Sequence, residues 1–277
     1  MMTILTLTVH LVAADPATPM LVEVNDPKLK EFHLLDVRSK PQYDEGHLPG
    51  AVHADVTPWS RAVTAGKADA SFWKAELAGA GVTPTKPTVV YSDDPREAAR
   101  AWWLLKFAGV PDVRILNGGW KAYTAAKLPV QKESIAAKAE LHDWKPATDR
   151  LADKKLVLDA LKSDVVIVDA RSTEEFSGEA KKAKKSGHIP GAVHLEWSDL
   201  IDPTTGKYLP QPELIKLMKE RTIDLDKPAV TYCQSGGRAA VTAFGLELAG
   251  AKRVRNYYPS WAEWGNAEDT PVEVKKK

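Results

Sequence analysis

The chain has 277 residues, room for one large domain or two of roughly 100–150 residues, and its 38 Lys plus Arg against 37 Asp plus Glu give a formal net charge of +1. That balance argues against nucleic-acid binding, which usually shows a basic surplus, while 44% apolar and 27% charged residues are ordinary for a soluble globular fold. A single cysteine, Cys233, excludes an intramolecular disulfide, a thiolate zinc cage and a C-x-x-C redox pair; no metal or cofactor is expected.

At the amino end, Thr3–Ala14 is apolar but too short to span a membrane. Val12-Ala13-Ala14 before Asp15-Pro16 resembles a signal-peptidase site, yet no Lys or Arg precedes the apolar run. The reading is therefore a cytoplasmic protein with no membrane association, and a periplasmic one is the alternative if residues 1–14 are a signal peptide.

The chain then repeats itself. Gly46-His47-Leu48-Pro49-Gly50-Ala51-Val52-His53 recurs as Gly187-His188-Ile189-Pro190-Gly191-Ala192-Val193-His194, with 7 of 8 columns identical at an offset of 141. The same offset aligns Val89–Trp120 with Val230–Trp261 without a gap, 10 of 32 columns being identical. Leu35-Asp36-Val37-Arg38-Ser39 matches Val168-Asp169-Ala170-Arg171-Ser172 at an offset of 133, so the second copy carries eight extra residues before its G-H-x-P-G element. These include the run Lys181-Lys182-Ala183-Lys184-Lys185, read as a solvated loop. Two homologous domains are expected, 19–126 and 150–274, joined by a linker over 127–149.

Each copy reads as α/β. The short β-branched runs Val89–Tyr91, Val113–Leu116, Val165–Asp169, Ala229–Tyr232 and Val254–Tyr257 predict buried parallel strands. Ala99, Trp103 and Phe107, and in the same columns Ala240, Phe244 and Leu248, mark the apolar face of a helix that should end at Gly109 or Gly250. Strands alternating with helices imply right-handed crossovers, with helices on both faces of each sheet.

Cys233 follows the strand Ala229–Tyr232 directly and opens Cys233-Gln234-Ser235-Gly236-Gly237-Arg238, with a helix starting at about Arg238. A nucleophile there sits at the carboxyl end of a strand, where open α/β sheets bind ligands. Gly236 and Gly237 permit the positive φ angles that turn loop amides inward, and those amides with the helix N-terminus form an anion nest. Such surroundings favour the reactive thiolate, so Cys233 reads as a catalytic residue rather than a buried small hydrophobe.

These residues resemble the rhodanese family, specifically its two-domain sulfurtransferases, from about Leu21 to Val272. The likeness rests on both D-x-R and both G-H-[IL]-P-G-A elements, the Cys233 loop and Ser260-Trp261-Ala262-Glu263-Trp264. It implies two tandem rhodanese-like domains with catalysis in the second, because the column of Cys233 holds Ser92 in Tyr91-Ser92-Asp93-Asp94-Pro95-Arg96-Glu97. It also implies ping-pong transfer of sulfane sulfur from thiosulfate, through a persulfide on Cys233, to cyanide or a thiol. Arg238 then joins Cys233 in catalysis, and Arg171, Gln234, Ser235, Gly236 and Gly237 contact the donor, with a salt bridge at the strand end as the plainer reading of Arg171. The partners are a small-molecule sulfur donor and a thiophilic acceptor, and a monomer is expected.

His188 and His47 occur in both copies and are read as structural. Trp261 shares a column with Trp120, and Trp264 with Tyr123, so both tryptophans are read as packing. A phosphatase or arsenate reductase would need C-x5-R, whereas only four residues separate Cys233 from Arg238. A non-enzymatic binding protein is the other rival, and the intact Cys233 loop argues against it. Within the family, 3-mercaptopyruvate is the alternative donor. Glu175, standing where enzymes of that preference place an arginine, disfavours a carboxylate donor. Tyr258-Pro259 replaces the usual Asp-Gly, with no consequence legible from sequence.

Overall fold

A computed structural model of the protein describes residues 19–274; residues 1–14, on which the export question turns, lie outside them. No helix among the described residues is long and apolar enough to cross a membrane.

The first repeat folds around five parallel strands: β1 (Leu21–Val22), β2 (His33–Asp36), β3 (Val52–His53), β4 (Thr88–Tyr91) and β5 (Val113–Leu116), in the order β1-β5-β4-β2-β3. Its helices are α1 (Lys40–Glu45), α2 (Thr57–Thr64), α3 (Ala70–Gly79), α4 (Pro95–Ala108) and α5 (Gly119–Ala125). The second repeat has α6 (Lys154–Ala160), β6 (Val166–Asp169), α7 (Thr173–Ser177), β7 (Val193–His194), α8 (Gln211–Glu220), β8 (Ala229–Tyr232), α9 (Gly237–Ala249), β9 (Val254–Asn256) and α10 (Ser260–Trp264). Its strands lie in the order β7-β6-β8-β9, all parallel. A bridge from Leu151 to Asn256 takes the place that β1 holds in the first sheet. The aligned runs Val113–Leu116 and Ala229–Tyr232 form strands with the expected bounds, while β6 begins one residue later and β9 ends one residue earlier than predicted. α4 and α9 are capped by Gly109 and Gly250 as expected.

Side chains alternate across each sheet because successive Cβ atoms of a strand point to opposite faces. Val90 and Leu35 of the first sheet, and Ala229 and Val168 of the second, enter one central core that spans both repeats. Val89, Leu34 and Tyr91 face a separate outer core, and Ile167, Val230 and Tyr232 another. The central core closes where α4 meets α9. There Trp102 meets the Phe244 ring edge-on at 4.8 Å, and Trp103 stacks on Tyr258 at 4.9 Å. Burial of each such side chain contributes roughly 1.5–3 kcal/mol, which welds the two repeats together.

The segment predicted as a linker lies along the first repeat. Gln131 exchanges both backbone hydrogen bonds with His47, at 2.8 and 2.9 Å, and the Ala147 N–H donates to the Phe107 carbonyl at 2.7 Å. Glu273 closes the second repeat on His188 in the same way.

Candidate active site

The repeated motifs build the frame. Asp169, at the end of β6, accepts from the Arg171 backbone N–H at 2.9 Å, from its Nε at 2.9 Å and its Nη2 at 2.6 Å, and from the Tyr232 hydroxyl at 2.6 Å. Arg171 Nη2 also donates to the Gly187 carbonyl at 2.7 Å, and its guanidinium lies over Trp261, 4.2 Å from the ring centroid. Asp36, Arg38, Gly46 and Trp120 repeat this arrangement in the first copy. Arg171 is 1% exposed. Of the two readings of Arg171, the salt bridge at the strand end is the contact seen: its charge ties D-x-R to G-H-x-P-G, because the buried Asp169 needs a partner. His188 stacks on Phe176, with Nδ1 at 2.8 Å from the Phe176 carbonyl, and His47 does the same with Tyr43 at 2.9 Å. Trp261 and Trp264 are both buried.

Cys233, 1% exposed, follows β8 directly and opens the loop. Its N–H donates to Ser260 Oγ at 3.1 Å, and Ser260 Oγ donates in turn to the Tyr257 carbonyl at 2.7 Å. The Cys233 and Gln234 carbonyls accept from the N–H groups of Trp261 and Ala262, both at 3.0 Å. With its carbonyls held from behind, the loop keeps its amides free. Among the described residues no protein acceptor takes the N–H of Gln234, Ser235, Gly236, Gly237 or Arg238. Five free amides at the amino end of the 13-residue α9 make the expected anion nest. Gly236 carries the positive φ, +85°, and the Tyr258 ring lies where a side chain would stand. Gly237 does not adopt positive φ, contrary to expectation. Its missing side chain instead makes room for the Arg100 guanidinium, whose Cζ would lie 3.1 Å from a Cβ.

The corresponding loop of the first copy, with Ser92 in the column of Cys233, is arranged differently. Asp94, the N-cap of α4, accepts from the Arg96 N–H through its side chain, at 2.8 Å, and from the N–H groups of Glu97 and Ala98 through its carbonyl. The Asp94 N–H itself goes to Ser92 Oγ at 3.3 Å. The nest is filled by the chain's own oxygen atoms.

Cys233, Gln234, Ser235, Gly237 and Arg238 line a cleft of about 330 Å³ whose opposite wall is Arg96, Glu97 and Arg100 of α4. Arg238 gives both terminal nitrogens to Glu175, at 2.5 and 3.0 Å. Burial opposes its charge, but the bond to Glu175 and the nearby Cys233 sulfur hold its pKa above the ordinary arginine value. Glu175 also caps α7 with Ser172. The sequence separation of 63 hides this pair from any local pattern. Gln234 turns its side chain to the Lys182 carbonyl at 3.4 Å, and Lys185 of the same run is tied to the Thr270 carbonyl at 2.6 Å. Tyr258 answers the question its position raised: buried in the seam, it packs on Gly236 and donates to Ser60 Oγ at 2.8 Å. Sequence reasoning missed Ser260, whose left-handed φ of +56° is matched by Gly119 in the same column. It missed Arg100 as well. A larger groove of about 440 Å³ lies at the opposite end of β8 and β9, between Arg150, Asp159 and Arg253, remote from the Cys233 loop.

The rhodanese-like domain family matches residues 21–126 and again 153–267. The thiosulfate sulfurtransferases of Pseudomonas aeruginosa and Azotobacter vinelandii are each 34% identical to this chain, over 92% of it and 97% of their own length. That of Corynebacterium glutamicum is 35% identical over 84% of this chain and 81% of its own. Among solved structures, an anaerobic ergothioneine biosynthesis enzyme from Chlorobium limicola, with trimethyl histidine bound, superposes with a TM-score of 0.78 at 24% identity. The match covers 89% of this chain but 65% of that one, just under two thirds of its length, and shows the fold alone. The chain belongs to the rhodanese family, each of its two repeats being a rhodanese-like domain.

Proposed function

We propose that the protein is a thiosulfate sulfurtransferase working through a persulfide on Cys233. The observation that carries this reading is the lone sulfur at the end of β8, beside five free amides and Arg238. The Cys233 thiolate attacks the outer sulfur of thiosulfate; a Cys–S–S bond forms, the S–S bond of thiosulfate breaks, and sulfite leaves with the bonding electron pair. Three negative charges enter the step and three leave, so no proton needs to move and no general base is required. That fits the structural positions of His47 and His188. Cyanide or a thiol then takes the terminal sulfur, restoring the thiolate. Covalent capture divides one hard transfer into two easier ones.

The amides of Gln234, Ser235, Gly236, Gly237 and Arg238 bind the donor's oxygens, and Arg238, steadied by Glu175, compensates the thiolate and persulfide charge. Arg171 belongs to the frame. Thiosulfate is preferred to 3-mercaptopyruvate as the donor because the relatives matched over most of the chain are thiosulfate sulfurtransferases.

Incubation with thiosulfate followed by intact-protein mass spectrometry tests the reading. The wild type should gain one sulfur atom and release sulfite, and cyanide should then remove the sulfur as thiocyanate. No gain, or a gain that survives in Cys233→Ala, refutes it. Faster turnover with 3-mercaptopyruvate would overturn the choice of donor alone.

A further inference from the structure

Thiosulfate brings two negative charges into the cleft, and most cations around it are already committed. Arg171 is buried against Asp169. Arg238 gives both terminal nitrogens to Glu175. Arg96 holds Asp94 with Nε at 3.0 Å and Nη2 at 2.7 Å and rests over Trp197. Arg100 differs. Among the described residues its one ion pair is Nη1 to Glu97 at 3.3 Å, long for a charge-assisted hydrogen bond of about 2.7–2.9 Å. Its Nε is buried with no hydrogen-bond partner. Its guanidinium lies directly against Gly237, beside the free amides, and it lines the cleft together with Cys233.

We propose that Arg100, supplied by the non-catalytic repeat, is the substrate-binding cation of the active site, holding the sulfonate end of the donor against the amides of residues 234–238. The inference rests on the reading of the protein as a thiosulfate sulfurtransferase. A planar guanidinium can take two sulfonate oxygens at once, and the amides are left to take the third. Glu97 is the internal competitor for the same nitrogens, and a sulfonate oxygen at proper hydrogen-bonding distance displaces its loose contact. The outer sulfur is then free to face Cys233. The glycine at 237 is explained by the same approach: any side chain there would push Arg100 out of the site.

The test measures steady-state KM for thiosulfate in the wild type, Arg100→Ala, Arg100→Lys and Glu97→Gln. In parallel, the persulfide loaded at saturating thiosulfate is discharged by the neutral thiol dithiothreitol. Loss of a charge-assisted contact should raise KM about 10- to 100-fold in Arg100→Ala, less in Arg100→Lys, which keeps the charge without the fork. Glu97→Gln should lower KM a few-fold, and discharge by dithiothreitol should stay within about twofold throughout. A KM within twofold of wild type in Arg100→Ala, or an equal loss in the discharge step, overturns the assignment. Should Arg100→Ala fail to fold, Glu97→Gln decides: a raised KM overturns it. If the wild type itself takes no sulfur from thiosulfate, the sulfurtransferase reading falls first, before any variant is compared.

Discussion

Ser260 holds the Cys233 backbone at a conformational cost, and the internal repeat makes that cost measurable. Its φ of +56° is the left-handed conformation that Gly119 adopts at the same position of the first copy. For a residue with a side chain this costs about 1–2 kcal/mol. The hydroxyl compensates by accepting from the buried Cys233 N–H at 3.1 Å and donating to Tyr257 at 2.7 Å. Ser260→Ala keeps the strain and strands a buried N–H, a loss of about 1–3 kcal/mol. At 2–4 °C per kcal/mol for a chain of this size, a central value of about 2 kcal/mol lowers Tm by roughly 4–8 °C. Ser260→Gly loses the same bonds but relieves the strain, regaining about 1 kcal/mol. The stability order should be wild type, then Ser260→Gly, then Ser260→Ala, read from urea midpoints at constant m. Both variants release the Cys233 amide, so persulfide formation should slow in both by a similar factor, roughly tenfold. An alanine variant as stable as wild type, or a glycine variant less stable than the alanine one, refutes the reasoning.

Three further outcomes follow from the same contacts. Arg171→Met and Arg38→Met each strand a buried aspartate and should each cost about 3–5 kcal/mol in urea unfolding; a raised KM for thiosulfate in Arg171→Met at unchanged stability would return Arg171 to the donor site. Ser92→Cys in a Cys233→Ala background should take no sulfur by mass spectrometry, because Asp94 fills that nest. Burial pushes the Glu175 carboxyl up, but its bond to Arg238 outweighs this and holds its pKa below the ordinary 4.5. A carboxylate lowered in the native state stabilises fully above its unfolded value and loses that contribution as pH falls through the native one. Urea midpoints of wild type and Glu175→Gln should therefore differ at neutral pH and converge as pH falls below the ordinary 4.5 and through the lowered native value; a constant gap would show that the pair does not titrate with folding.

The fold and the nucleophile were legible because their signals are local or repeated. Alternating strands, the helical spacing of Ala240, Phe244 and Leu248, and Cys233 directly after Tyr232 all lie within a few residues. What escaped depends on distant segments meeting. The salt bridge of Arg171 is readable in D-x-R, but its second bond, to the Gly187 carbonyl, and its burial are properties of the folded domain. Gly237 looked like a second Gly236, yet one answers a backbone angle and the other a guanidinium from 137 positions earlier in the chain. The role of Tyr258 depends on Gly236 and Ser60, which meet it only in the folded chain.

The first repeat is more than a copy that lost its cysteine. With Asp94 filling its own nest, the start of α4 no longer has to stay open for a ligand, and its side chains are free to serve the neighbouring loop. Arg96 stands in the column of Gly237 and Glu97 in that of Arg238, so the positions that must stay bare or cationic around a working cysteine carry long charged side chains here. The α4–α9 packing brings those side chains to the mouth of the second loop. A buried seam of Trp102, Trp103, Phe244 and Tyr258 holds them there, where a hinge would not. Under the proposed role of Arg100, the D-x-R frame of the first copy, Asp36–Arg38 beside Asp169–Arg171 of the second, has a functional reason as well: α4 can position Arg100 only if the sheet behind it stays rigid.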